Sequence, residues 1–157
     1  MCKEKKEFMH EAVHQSLLSV ENDGGPFGAV IVKDGKIIAK AANSVTQTND
    51  PTAHAEVNVI RLATSKLKTF DLSGCEIYTS CEPCPMCLGA IYWARLDKIY
   101  YGNTKQDAKD IGFDDSFIYE ELDLPLEERK IKAIQIEHKE AQKAFKSWQQ
   151  KEDKTEY

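Results

Sequence analysis

The sequence has no long apolar run. No stretch reaches the roughly 18 consecutive apolar residues of a membrane-spanning helix. The opening MCKEKKEFMH also lacks the apolar segment of a secretory leader, so a cytoplasmic protein with no membrane partner is expected. Positive charge is not in excess either. The 21 Lys and Arg against 26 Asp and Glu leave a formal net charge of −5, which works against a nucleic-acid partner held by bulk electrostatics. Internal repeats, linkers and low-complexity segments are missing. An even cysteine framework is missing too: the 5 cysteines are odd in number and clustered, which without a secretory leader points to metal or redox chemistry rather than disulfides. The glycine-rich Gly24-Gly25-Pro26-Phe27-Gly28 does not continue to Gly-Lys-Ser/Thr, so it is not a phosphate loop. What remains is a 157-residue chain of ordinary composition, read as one domain (1–157) with room for a real core.

Periodicity supplies the order of elements. Met9, Val13, Leu17 and Val20 make an apolar stripe on an N-terminal helix over 3–22. Asp34-Gly35 is a hairpin signal between apolar strands at 29–33 and 36–42. A helix from Ala53 or His54 to Leu67 follows a polar loop, and a short strand at 76–80 leads into the cysteines. The segment 85–94 reads as a helix apolar all round, hence interior. Strands at 98–102 and 131–137 and a last amphipathic helix at 140–151 complete the chain. Strands alternating with helices predict an α/β protein, a three-layer α/β/α arrangement around a mixed five-stranded sheet.

The chemistry concentrates in Thr79-Ser80-Cys81-Glu82-Pro83-Cys84-Pro85-Met86-Cys87. Cys84 and Cys87 are three apart, and Pro85 suits the first turn of a helix, so both thiols share a face near a helix N-terminus that favours thiolate. His54 supplies a third ligand, and two Cys with one His leave the fourth tetrahedral position of a zinc ion open. Glu56, two residues from His54, is placed to handle the protons of a water there, provided His54 stands at the very start of its helix. Three other readings compete. Cys81 as a fourth ligand would close a structural zinc site. Cys81, Cys84 and Cys87 have the spacing of an iron–sulfur run, but position 91 is Ile rather than Cys. His10-Glu11-Ala12-Val13-His14 matches the H-E-x-x-H metalloprotease pattern, although two exposed histidines on an N-terminal helix explain it as well. Phe27 is either a turn residue or a stacking face for a flat ligand. Asn43 is either a turn residue or a double-sided hydrogen-bonding group. Cys2 and Cys75 read as incidental thiols.

His54-Ala55-Glu56 with Pro83-Cys84-Pro85-Met86-Cys87 resembles the cytidine-deaminase-like superfamily of zinc deaminases. Pro26-Phe27-Gly28-Ala29, Asn43, Asp50 to Glu56 and Gly89-Ala90-Ile91 are similar to its purine branch, which includes bacterial tRNA adenosine deaminases. Tyr92-Trp93-Ala94-Arg95, Gly112 to Tyr119 and Glu127-Glu128-Arg129 look instead like small bacterial guanine deaminases. The resemblance implies one zinc per subunit on His54, Cys84 and Cys87, with Glu56 as the proton-transfer residue. It implies a small purine base, guanine, hydrolysed to xanthine and ammonia, with Phe27, Asn43, the Ala55 backbone, Trp93 and Asp115 around it. A carboxylate suits guanine, whose N1–H and exocyclic amine are adjacent donors; Asp115 or its neighbour Asp114 would supply it. A homodimer is also implied, with the segment from about 140 to 157 exchanged and Tyr157 as a lid residue. Guanosine or tRNA adenosine as substrate, and a non-enzymatic zinc module, remain the alternatives.

Overall fold

The computed structural model describes residues 3–157. Two compact units divide the chain, one ending at Asp115 and the other spanning Ser116–Tyr157.

The first unit contains α1 (Lys3–Glu21), β1 (Gly28–Lys33), β2 (Lys36–Ala42), α2 (Val45–Thr48), α3 (Ala55–Leu67), β3 (Cys75–Cys81), α4 (Pro85–Trp93), β4 (Lys98–Asn103) and α5 (Lys105–Asp110). The strands form one sheet in the order β2-β1-β3-β4. β1 is antiparallel to both β2 and β3, and β3 is parallel to β4. Side chains alternate across β1 and so feed two cores. Ala29 and Ile31 join Ala55, Val59, Ala63, Ile77 and Ile91 beneath α3 and α4. Val30 and Val32 join Ala12 and Tyr78 beneath α1. The result is the expected three-layer α/β/α arrangement, with a mixed sheet.

The sheet has four strands, not the expected five. Residues 131–137 form no strand, and Ile131, Ile134 and Ile136 are 86%, 80% and 77% exposed. Alternating residues make a strand only when a neighbouring edge satisfies the backbone, and this segment pairs with none among the described residues.

Two helices present different faces from those expected. The buried residues of α1 are Ala12, Gln15, Ser16 and Ser19, whereas Val13, Leu17 and Val20 face outward. Close approach explains this. A Cβ on Gly28 would lie 2.3 Å from the Ala12 carbonyl oxygen and 2.4 Å from the Ser16 nitrogen. Helix and strand backbones are nearly in contact there, which favours the small Ala12 and Ser16 at the point of closest approach. In α4, apolar all round, Cys87 and Ile91 are buried while Tyr92 and Trp93 are exposed, so that helix is not interior as read.

The second unit holds α6 (Ser116–Asp123) and α7 (His138–Gln150). Arg129 ties the end of α6, donating from Nε to the Leu124 carbonyl at 3.0 Å and from Nη2 to the Leu122 carbonyl at 3.1 Å. Glu121 accepts the Lys130 N–H at 2.8 Å. Along α7, Phe145 is 75% and Trp148 41% exposed.

Candidate active site

Two helix starts build the site. His54 is the N-cap of α3 and Cys84 the N-cap of α4, with Pro85 in the first turn. This is the placement that lets His54 and Glu56 converge. Glu56 sits in the first turn of α3, Cys87 in the first turn of α4, and both are buried. His54 Nδ1 lies 3.6 Å from Cys84 Sγ and 3.4 Å from Cys87 Sγ. The three ligand atoms all fall within 4.8 Å of one another.

These separations fit a zinc ion. Tetrahedral bonds of 2.3 Å to sulfur and 2.0–2.1 Å to nitrogen place the two ligand atoms about 3.5 Å apart. A nitrogen and two sulfurs on the starts of two helices are also the donor set that zinc prefers, and they leave the open side of a tetrahedron. Cys81 does not join them. Its Sγ points to the Thr104 carbonyl at 3.6 Å. Burial foremost, with the Glu56 charge next, pushes its thiol up to about 11. A closed four-ligand knot and an iron–sulfur cluster thus both lack their third cysteine. His10 and His14 lie exposed on α1, outside any three-ligand group among the described residues. Cys75 is wholly buried in the core, and Cys2 lies outside the described residues.

Charge is distributed unevenly. The hydrogen bond from Cys87 and, against the cost of burial, the contact with His54 hold Cys84 down to about 4. The same bond to Cys84, then burial, pushes the Cys87 thiol upward. The hydrogen bond with Cys84 raises His54 above its ordinary value despite burial. Glu56 is raised chiefly by burial. A buried carboxyl that holds its proton more readily than usual is suited to exchanging one with a substrate near neutral pH.

The surrounding residues fall out as follows. Asn43 is buried. Its backbone N–H donates to the Phe27 carbonyl at 2.9 Å, and its Oδ1 accepts the Val45 N–H at 3.1 Å. One half of the amide is thereby fixed. Ser19 donates to the Asn43 carbonyl at 3.0 Å and locks the strand end to α1. Ala55 is buried at the first position of α3, where an N–H has no acceptor within the helix. Phe27 is half-buried and meets Phe113 edge to face, with ring centroids 4.9 Å apart at 88°. Trp93 is 69% exposed at the end of α4. Asp114 forms an ion pair with Lys109 at 3.0 Å. Asp115 is raised first by partial burial and next by the negative charge of Cys84. Tyr157 belongs to the second unit and is 74% exposed. Sequence reasoning missed Ser19 and Phe113. A lone serine in a helix carries no signal, whereas Gly112 directly before Phe113 marks the aromatic residue as fixed by a turn.

Comparison with known proteins bears on this geometry. Residues 2–103 match the model of the cytidine and deoxycytidylate deaminase zinc-binding region. The chain is 57% identical over 134 residues to the guanine deaminase of Bacillus subtilis (strain 168), covering 85% of this chain and 86% of that one. It is 43% identical over 106 residues to a tRNA-specific adenosine deaminase of Agrobacterium fabrum, covering 68% of each chain. The X-ray structure of guanine deaminase from Bacillus subtilis superposes with a TM-score of 0.94 at 51% identity, covering 100% of this chain and 99% of that one.

Proposed function

This chain belongs to the cytidine and deoxycytidylate deaminase zinc-binding family, and on that premise we propose that it hydrolyses guanine to xanthine and ammonia. What carries the choice of base is the 57% identity over 85% of this chain to a guanine deaminase, with Asp115 the carboxylate next to Asp114, which Lys109 engages. Asp115 then accepts the N1–H and the exocyclic amine of guanine as a bidentate pair. Adenine presents no such pair of donors at that edge. The guanine deaminase relative supports the same reading.

One zinc per subunit is held by His54, Cys84 and Cys87. Bound there, it supplies the Lewis acidity that makes water nucleophilic near neutral pH. The rest is done by the chain. Glu56 takes a proton from the attacking water and delivers it to N3 as the C2–O bond forms. It carries the second proton to the exocyclic nitrogen as the C2–N bond breaks, so water and guanine become xanthine and ammonia. The fixed amide of Asn43 and the Ala55 N–H orient the base, and Phe27 and Trp93 line its faces or edge.

A homodimer completes the site in this reading. β4 is the edge of the sheet, and 131–137 is an alternating apolar segment with exposed isoleucines. The same segment of a second copy, added to β4, supplies a fifth strand in trans, satisfies both backbones and covers the isoleucines. The exchanged C-terminal segment then carries Tyr157 to the partner's site as a lid that excludes bulk water. Purine catabolism or salvage in the cytoplasm is the setting. No helix among the described residues is long and apolar enough to cross a membrane. The net charge of −5 gives nucleic acid no general footing.

The test offers zinc-loaded protein guanine, guanosine, adenine, cytosine and tRNA, and measures ammonia. Guanine alone should release it. Release from guanosine or tRNA but not guanine would overturn the substrate, and silence on all five with zinc bound would favour a structural zinc module.

A further inference from the structure

Phe113 sits where two parts of the site meet. Its ring is edge to face with Phe27, and its backbone leads directly into Asp114 and Asp115. Phe113 remains 47% exposed, so burial alone does not account for its position. The loop that carries it is fixed at its start. Gly112 adopts φ +97°, a conformation few other residues accept, and donates its N–H to the Lys109 carbonyl at 3.0 Å. The Phe113 N–H donates to the Ala108 carbonyl at 2.9 Å, and Asp114 pairs with Lys109. α5, which provides those anchors, is itself bound to the cysteine loop: the Lys105 N–H donates to Glu82 at 3.1 Å, and Cys81 reaches the Thr104 carbonyl. The opposite wall is equally constrained. Phe27 gives its carbonyl to Asn43 and its N–H to Gly25 at 2.8 Å. A Cβ on Gly25 would lie 3.3 Å from the Phe27 ring, which packs tightly on that side.

We infer that Phe113 is a positioning residue for recognition of the base: its ring sets the plane of Phe27 and holds the 112–115 loop in the register that presents Asp115 to a purine carrying the N1–H and 2-amino edge. The inference rests on the guanine deaminase reading above. It makes stacking and edge recognition one coupled device. A ring that shifts at position 113 tilts the stacking face and withdraws the carboxylate together. Edge-to-face geometry suits that role, because the ring quadrupoles penalise sliding and tilting in a way that plain apolar contact does not.

The experiment measures kcat and KM for guanine, with zinc content, on the zinc-loaded full chain. The variants are Phe113→Ala, Phe113→Leu, Phe113→Tyr, Asp115→Asn and the double change Phe113→Ala with Asp115→Asn. Phe113→Ala should raise KM about tenfold while kcat and zinc content stay nearly constant. Phe113→Leu keeps apolar bulk without a ring edge and should move KM in the same direction. Phe113→Tyr keeps the ring and should restore wild-type KM. On the Asp115→Asn background, Phe113→Ala should add no more than about twofold, because the contact acts through a carboxylate already lost. The same factor on both backgrounds, an unchanged KM in Phe113→Ala, or a loss confined to kcat with lowered zinc would each overturn the inference. A wild-type protein silent on guanine would overturn the deaminase reading and this inference together. An active wild type with an insensitive Phe113 would overturn this inference alone.

Discussion

His54 and Cys84 occupy the same station on two different helices. Each is the N-cap, His54 of α3 with φ −69° and ψ 154°, Cys84 of α4 with φ −68° and ψ 169°. Neither side chain caps its own helix. Instead the ligand atoms turn toward each other across 3.6 Å, and Glu56 and Cys87 follow within the first turns. Two helix N-termini therefore face one point, and their dipoles favour the thiolates and any anion formed there.

Metal removal tests this join. The ligands span α3 and α4, so a bound ion ties the two helices together. Chelation should lower the thermal midpoint and abolish turnover, and zinc should restore both. Cys87→Ala should lose zinc by at least about tenfold in affinity, measured by competition with a colorimetric chelator. Zinc uptake in weak buffer should release protons, since thiolates and neutral imidazole are the binding forms. Uptake without proton release would contradict a two-cysteine ligand set.

Glu56 separates binding from chemistry. Glu56→Gln keeps the volume of a buried side chain and removes its ability to carry a proton. Zinc content should be unchanged while kcat falls by about 10²–10⁴-fold. Loss of zinc with activity would instead make Glu56 a structural support of the ligands.

Gly28 tests the contact between α1 and the sheet. Gly28→Ala would put a methyl 2.3 Å from the Ala12 carbonyl and 2.4 Å from the Ser16 nitrogen, against backbone that cannot yield as a side chain would. A destabilisation of about 3 kcal/mol is expected in urea melts. A change under about 1 kcal/mol would show that α1 moves away freely.

Acid should loosen three turns. Asp50, Asp71 and Asp107 are each held below the usual carboxylate range, first by the hydroxyl of Thr52, Ser73 or Thr104 and then by a backbone N–H. Their folded values are depressed, so their contribution is fully present above the unfolded pKa of about 3.9 and is lost as pH falls through the folded values. The triple change to Asn should lower the thermal midpoint at neutral pH and flatten its decline below about pH 4. An unaltered acid limb would show that these turns do not contribute.

The trans strand is open to one substitution. Ile134 is 80% exposed in the single chain, so Ile134→Asp should cost a monomer little. If a second copy covers it, light scattering should report the monomer mass for the variant and the dimer mass for wild type, with guanine turnover lost and zinc retained. A dimer that survives Ile134→Asp would remove the strand-exchange reading.

The convergence of His54, Cys84 and Cys87, the burial of Glu56 in the first turn of α3 and the order of most elements were legible in the sequence because they depend on local rules. The i, i+3 spacing, Pro85 at a helix start and Asp34-Gly35 at a hairpin act over a few residues, and the structure has Cys84 at a cap and a tight β1–β2 turn. Periodicity was less secure where it depended on a partner. The Met9/Val13/Leu17/Val20 stripe read as the packed side of α1, yet close approach to Gly28 selects Ala12 and Ser16, and Gly24 meets Ser19. Alternation at 131–137 read as a fifth strand, but a strand needs an edge to pair with, and periodicity does not say which chain supplies it. Asp114 and Asp115 were interchangeable in one dimension. Lys109 engages Asp114, a difference between the two carboxylates that only the folded loop shows. Residue type and spacing thus determined which atoms can hold a metal and move a proton, because bond lengths and helix pitch are fixed. Tertiary structure decided which side chains gather around those atoms, because close backbone approach and ring contacts join residues far apart in the chain.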